Sequence, residues 1–276
     1  MTEKIRQENK RRPFYIPKDR QFHYSDELTE GFHCLKIETK SQKSDKAILF
    51  LYGGGFTLAP DNGDVKTAES LGVRCGCDIW IPSYPLCLDR SVKTTFRVTY
   101  EMYRKMIQSY ASEKIAFVGF SSGAALAIGL CLYNNAQTEK LPMPEVVIAC
   151  SPGAVPLTEE EFKKMQALSN KDIMISAEGI KKLGECLAHG EELPKYMLSG
   201  IYGDFTGFPM THFFYGSDEV LYASAESFAK AFDRYGAKYK IHVGQGMCHC
   251  YPMLRIFPEG KQANNEIIQI IKDALS

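Results

Sequence analysis

Ser121 stands in Gly119-Phe-Ser-Ser-Gly123, a Gly-x-Ser-x-Gly spacing with an apolar run, Lys114-Ile-Ala-Phe-Val118, before it. Ala124-Ala-Leu-Ala-Ile-Gly-Leu-Cys-Leu132 follows. The first flank reads as a buried strand and the second as a helix. Two glycines allow the sharp strand-to-helix turn that leaves a serine Oγ projecting, and the helix start offers free N–H groups and a positive dipole end. A serine so placed can attack a carbonyl carbon, provided that an imidazole takes its proton and a carboxylate orients that imidazole.

The chain order expected for such a set is Ser, then Asp or Glu, then His. Of the six histidines, His23 and His33 precede the serine. His189 lies in a segment without strands, while His212 and His242 fall inside strand-like runs. His249 alone follows the last predicted strand, in the loop Gly244-Gln-Gly-Met-Cys-His249, and is the candidate base. Asp218 stands just beyond the strand Met210–Gly216 and is the candidate acid; Glu219 next door could substitute for it but reads better as a first-turn helix residue. A glycine run, Tyr52-Gly-Gly-Gly-Phe56, follows another strand. Such a run lets the backbone approach a substrate and turn N–H groups towards an oxyanion. No Lys-Ser/Thr follows it, which disfavours a phosphate loop.

The elements that must position these residues alternate. Strands are expected at 46–52, 78–84, 114–118, 145–150, 210–216 and 238–244, with helices near 65–74, 91–110, 124–132, 219–235 and 258–274. This order predicts an α/β fold, a mostly parallel central sheet flanked by helices, with the site at the carboxyl ends of the strands. Residues 152–209 break the rhythm with two amphipathic helical pieces, near Thr158–Leu168 and at Ser176–Leu187, with Ser176 as N-cap. An insertion there would lie over the site as a cap.

Composition narrows the classes. Charged residues make up 24% of 276, with 33 basic and 33 acidic, so neither a nucleic-acid nor an anionic-membrane surface is expected. The first residues are charged and lack the apolar core of a secretory signal, and no 18-residue apolar run exists. Nine cysteines, an odd number, read as reduced thiols of a cytoplasmic protein. Cys75-Gly-Cys77 and Cys248-His-Cys250 lack zinc-site spacing, so no metal and no cofactor is expected.

Gly-Gly-Gly-Phe after a strand, Gly119-x-Ser-x-Gly123, Gly216-Ser-Asp-Glu-Val-Leu221 and Gly246-Met-Cys-His-Cys-Tyr-Pro252 together resemble the α/β-hydrolase fold. More narrowly, with Tyr84-Pro-Leu86 and Gly203-Asp-Phe-Thr-Gly-Phe-Pro209, they resemble its hormone-sensitive-lipase-like esterase branch. The resemblance runs over about residues 46–275 and implies a serine esterase acting on small, short-acyl carboxylic esters through an acyl-enzyme. It assigns Ser121 as nucleophile, Asp218 as acid and His249 as base, with the N–H groups of Gly54, Gly55 and Ser122 as oxyanion hole. It also implies a single domain, 1–276, whose cap comes from about 1–40 and 152–209. Phe56, Phe205, Phe208 and Tyr251 are the expected substrate-pocket residues. Three positions depart from the branch: Tyr52 where it has His, Phe120 where it has an acid, and Tyr84-Pro-Leu-Cys-Leu-Asp89 where it has Tyr-Arg-Leu-Ala-Pro-Glu. Tyr52 is expected to brace the glycine loop through its hydroxyl. The alternatives are an amide-cleaving relative (a formamidase or small peptidase) and a non-catalytic binding protein of the same fold. The expected partner is a small-molecule ester, with a homodimer through the edge strand Lys238–Gly244 as a further possibility.

Overall fold

Four runs are buried at every residue, as strands covered on both faces must be: β3 (Ala47–Leu51), β4 (Asp78–Pro82), β5 (Ile115–Phe120) and β6 (Val146–Cys150). The computed structural model describes residues 2–40 and 43–276. Two strands precede these four, β1 (Phe22–Asp26) and β2 (Cys34–Thr39); β7 (Met210–Gly216) and β8 (Tyr239–Gly244) follow them. Together they form one eight-stranded sheet in the order β1-β2-β4-β3-β5-β6-β7-β8. The pairs β1–β2 and β2–β4 are antiparallel; every other pair is parallel. β8 pairs with β7 alone and forms one end of the sheet.

The helices are α1 (Thr2–Lys10), α2 (Asn62–Cys75), α3 (Val92–Met106), α4 (Ser122–Asn135), α5 (Glu159–Leu168), α6 (Ala177–Ala188), α7 (Lys195–Leu198), α8 (Ala225–Tyr235) and α9 (Pro258–Ala274). α2 packs on α9 and α3 on α4, and α2, α4, α8 and α9 each touch the sheet. α4 is apolar almost all round, and eleven of its fourteen residues are buried. It lies between the sheet and α3, close enough that a Cβ on Gly129 would stand 2.5 Å from the Phe96 ring. α2 starts on a reciprocal capping box between Asp61 and Asp64, and the Ser176 hydroxyl caps α6 by accepting from Gly179 N–H at 3.1 Å. No described helix is long and apolar enough to cross a membrane.

The expected α/β architecture is present, with one correction at the N-terminus. Residues 22–26 and 34–39, placed in the cap by sequence, are the two outermost strands at one end of the sheet. Only α1 and the chain immediately after it leave the sheet there. Their alternation is short and carries polar side chains on the outer face, which weakens a strand signal. The 152–209 segment contributes no strand; it holds α5, α6 and α7.

The candidate active site

Strand register sets the site. Leu51 pairs with Gly119, Phe120 with Cys150, Cys150 with Phe214 and Gly216 with Gly244, so five neighbouring strands end within three residues of one another. Beyond those ends come Gly53, Ser121, Ser151, Glu219 and His249.

The turn at Ser121 is held by close contacts. Ser121 has φ 53° and ψ −121°, outside the basins that ordinary residues occupy. Its N–H donates to Cys150 O at 2.8 Å, and its carbonyl accepts from Ala124 N–H and Ala125 N–H as α4 begins. A Cβ on Gly119 would stand 2.3 Å from Gly123 O, and one on Gly123 2.0 Å from Leu51 O. Both positions therefore exclude every residue larger than glycine, which is the physical content of the Gly-x-Ser-x-Gly spacing.

The glycine run lies against this turn. A Cβ on Gly53 would come within 3.3 Å of Ser121 Cβ, while Gly54 and Gly55 take φ 118° and 62°. The run is closed by Thr57 N–H and Leu58 N–H, both donating to Gly54 O at 3.1 Å. From α1, Asn9 clamps the next residues: its Nδ2 donates to Thr57 O at 2.8 Å and its Oδ1 accepts from Ala59 N–H at 2.9 Å. Tyr52 is not the expected brace, since its buried hydroxyl has no hydrogen-bond partner. The bracing bond comes from Tyr84, whose hydroxyl donates to Tyr52 O at 2.9 Å while the two rings stack with centroids 4.4 Å apart.

His249 is brought to the site as expected, but the carboxylate beside it is Glu219. His249 Nδ1 lies 2.6 Å from Glu219 Oε2, and Glu219 is completely buried. Asp218 instead turns outwards. Its Oδ1 accepts from Ser217 Oγ at 3.1 Å and faces Lys171 Nζ at 4.0 Å, with its side chain 38% exposed. The reason lies in the turn after β7. There Asp218 N–H donates to Met247 O, which directs the Asp218 side chain away, and the longer Glu219 folds back so that Oε1 accepts from Gly216 N–H at 3.0 Å. Glu219 was visible in the sequence as Asp218's neighbour; only its burial decides between them.

Burial pushes the Glu219 carboxyl above its ordinary range, opposed by hydrogen bonds from His249, Ser151 and Gly216. For His249 burial acts downwards, yet the Cys250 sulfur facing Nε2 at 3.5 Å and the Glu219 carboxylate together outweigh it and hold the imidazole above its usual value. Ser122 sits at the first position of α4 and is buried.

These parts open on one cavity of about 1130 Å³. Gly53, Gly54, Gly55, Ser121, Ser122 and His249 line its floor. Ile180, Leu183, Leu187 and Met197 of the 152–209 segment line its other side, with Ile5 of α1 at the edge. Phe56 lines it too, as expected. Phe205, Phe208 and Tyr251 do not. Phe205 and Phe208 pack on Phe232 of α8, with centroids at 4.5 and 5.2 Å, and Tyr251 covers Gly244 at the end of β8. Buried aromatic side chains near a site satisfy the core as readily as a pocket, and these three do the former.

Over residues 48–253 the chain matches a family described as alpha/beta hydrolase fold. No curated protein matches it in sequence. Among solved structures it is similar to an esterase/lipase from an uncultured bacterium, at 20% identity and TM-score 0.85, covering 100% of this chain and 92% of that one. An esterase of the bacterial hormone-sensitive lipase (HSL) family aligns at 19% identity and TM-score 0.81, over 100% and 98% of the two chains. EstE5, soaked with p-nitrophenyl butyrate, aligns at 20% identity and TM-score 0.85, over 100% and 92%. Strand order, serine turn and family match agree: this chain belongs to the alpha/beta hydrolase fold family.

Proposed function

We propose that this protein is a serine hydrolase that cleaves small carboxylic esters through an acyl-enzyme, with Ser121 as nucleophile, His249 as base and Glu219 as the orienting acid. One observation carries the reading: the left-handed serine turn, the glycine run and His249, itself paired with the buried Glu219, all border one largely apolar cavity. The similarity to esterases of the HSL family supports the same reaction class.

In this reading Ser121 Oγ attacks the ester carbonyl as His249 Nε2 takes its proton, exchanging its contact with Cys250 Sγ for the serine hydroxyl. Glu219 keeps Nδ1 protonated and stabilises the imidazolium. The N–H groups of Gly54, Gly55 and Ser122 receive the oxyanion. The imidazolium then protonates the departing alcohol, leaving Ser121 acylated. Water, deprotonated by the same imidazole, repeats the sequence and releases the acid. No step calls for a metal or a cofactor.

α1 and the 152–209 segment act as the cap of a single domain. Short-acyl selectivity, which the family resemblance implies, is not carried by Phe205, Phe208 or Tyr251, since they lie outside the cavity. At about 1130 Å³ the cavity is slightly larger than most small-molecule sites and has room for acyl chains longer than butyryl. The nine free thiols, seven of them buried, suit a reducing, cytoplasmic compartment.

The test is hydrolysis of p-nitrophenyl esters by the native protein and by Ser121→Ala, paired with fluorophosphonate labelling. The native protein should turn over and be labelled on Ser121, and the variant should lose activity by a factor on the order of 10⁶. Turnover retained in Ser121→Ala removes the proposal.

A further inference from the structure

At the end of β6, Ser151 is fully buried yet adopts φ 52°, the left-handed region that side-chain-bearing residues seldom enter. Its N–H donates to Phe214 O at 2.7 Å, continuing the β6–β7 ladder and fixing where the side chain emerges. From there the hydroxyl makes two bonds to two different loops. Ser151 Oγ donates to Glu219 Oε1 at 2.8 Å and accepts from Cys250 N–H at 2.9 Å. Cys250 follows His249 directly and is itself held at φ 54°.

We propose that Ser151 is a positioning residue that locks the acid and the base of the triad to each other through this single hydroxyl. The inference rests on the triad reading above and goes beyond it. Glu219 has two oxygens and one task for each. Oε1 is pinned by two donors, Ser151 Oγ and Gly216 N–H, which stops the carboxylate rotating and leaves Oε2 on His249 Nδ1. The hydroxyl's lone pair meanwhile satisfies a buried amide that would otherwise have no partner, and so sets the height of the His249 loop. A serine can do both because a hydroxyl donates once and accepts as well. The left-handed backbone brings that hydroxyl between the two loops.

The other titratable groups that feel the Glu219 charge are Cys150, Tyr215, Cys248 and Tyr251. Burial raises all four, which keeps them protonated through the neutral range. The hydroxyl donated by Ser151 stabilises the Glu219 carboxylate most where His249 is neutral, the form that accepts a proton. Its removal therefore raises the pH at which that form appears.

Ser151→Ala and Ser151→Gly test this together, since glycine relieves the backbone at φ 52° while both variants delete the hydroxyl. Each is assayed for kcat, KM, the acid limb of kcat/KM against pH, and thermal unfolding, with active-site titration to count folded enzyme. We expect both to fold, kcat to fall about tenfold or more per titrated site with KM within about threefold, and the acid limb to move upwards. An acid limb that stays in place, with activity tracking only the folded fraction, overturns the proposal; so does failure of both variants to fold, which would make Ser151 a structural residue. Ser121→Ala serves as the separate control, because activity retained there removes the triad itself and not the role of Ser151.

Discussion

Glu219 Oε2 lies 2.6 Å from His249 Nδ1, with both side chains buried, although Asp218 stands one residue closer to the end of β7. The pairing is a matter of reach. The turn after β7 spends the Asp218 N–H on Met247 O and directs that side chain outwards, while the extra methylene of Glu219 lets its carboxylate fold back under the strand end.

Activity should rise with pH. The imidazole of His249 must be neutral to accept a proton, and its pKa is raised: burial pulls it down, but the Cys250 sulfur and the Glu219 carboxylate outweigh that. Activity is therefore lost as pH falls through a value above the ordinary histidine figure of about 6.5 and is fully present above it. In Cys250→Ala one of the upward influences is gone, so the acid limb should move towards lower pH. Rate profiles of the two proteins check this; an unmoved limb contradicts it.

Acyl length should not be sharply limited. With Ile180, Leu183, Leu187 and Met197 lining a cavity of about 1130 Å³, octanoyl esters should be hydrolysed with a kcat/KM at least equal to that for butyryl esters. A series of p-nitrophenyl esters measures it. A steep fall after butyryl would show that the cavity narrows around a short chain.

Tyr84 should matter more than Tyr52. The Tyr84 hydroxyl holds the carbonyl in front of the glycine run, whereas the Tyr52 hydroxyl holds nothing. Losing a placed oxyanion donor costs about 10²–10³ in turnover, and loosening the loop that carries it costs less. Tyr84→Phe should thus lower kcat by roughly tenfold, and Tyr52→Phe should leave it nearly unchanged. Equal effects would place the brace elsewhere.

Gly123→Ala should unfold or nearly unfold the protein. Its Cβ would stand 2.0 Å from Leu51 O and 2.4 Å from Tyr52 O, both backbone atoms of a fully buried strand end. Neither can move without breaking the β3–β5 ladder. The expected loss exceeds about 4 kcal/mol, at the extreme of single substitutions. Denaturant unfolding of the variant measures it, and a loss below about 1 kcal/mol would contradict the packing described.

What is legible in sequence here is what is decided locally. The serine turn announces itself through two glycines that no other residue can replace, and the buried strands through unbroken apolar runs. Ser176 is legible as an N-cap for the same reason. β1 and β2 are not: both are only partly buried at the end of the sheet, and Phe22–Asp26 carries three polar residues in five. The choice between Asp218 and Glu219 also escapes sequence, because adjacent carboxylates at a strand end differ only in where a tight turn sends them. Ser151 gives no signal at all, since its role depends on Glu219 and Cys250, 68 and 99 residues away. Phe205, Phe208 and Tyr251 mislead because an aromatic residue near a site is recruited by the core as easily as by a ligand.

The triad built on Glu219 is tested most directly by kcat/KM of Glu219→Gln beside Asp218→Asn, on one ester at one pH. Glutamine keeps the shape but cannot stabilise the imidazolium, so Glu219→Gln should lose a factor on the order of 10³–10⁴. Asp218→Asn removes only a half-exposed charge facing Lys171 and should stay within about threefold of the native protein. The reverse pattern, with Asp218→Asn inactive and Glu219→Gln active, would contradict the site as described.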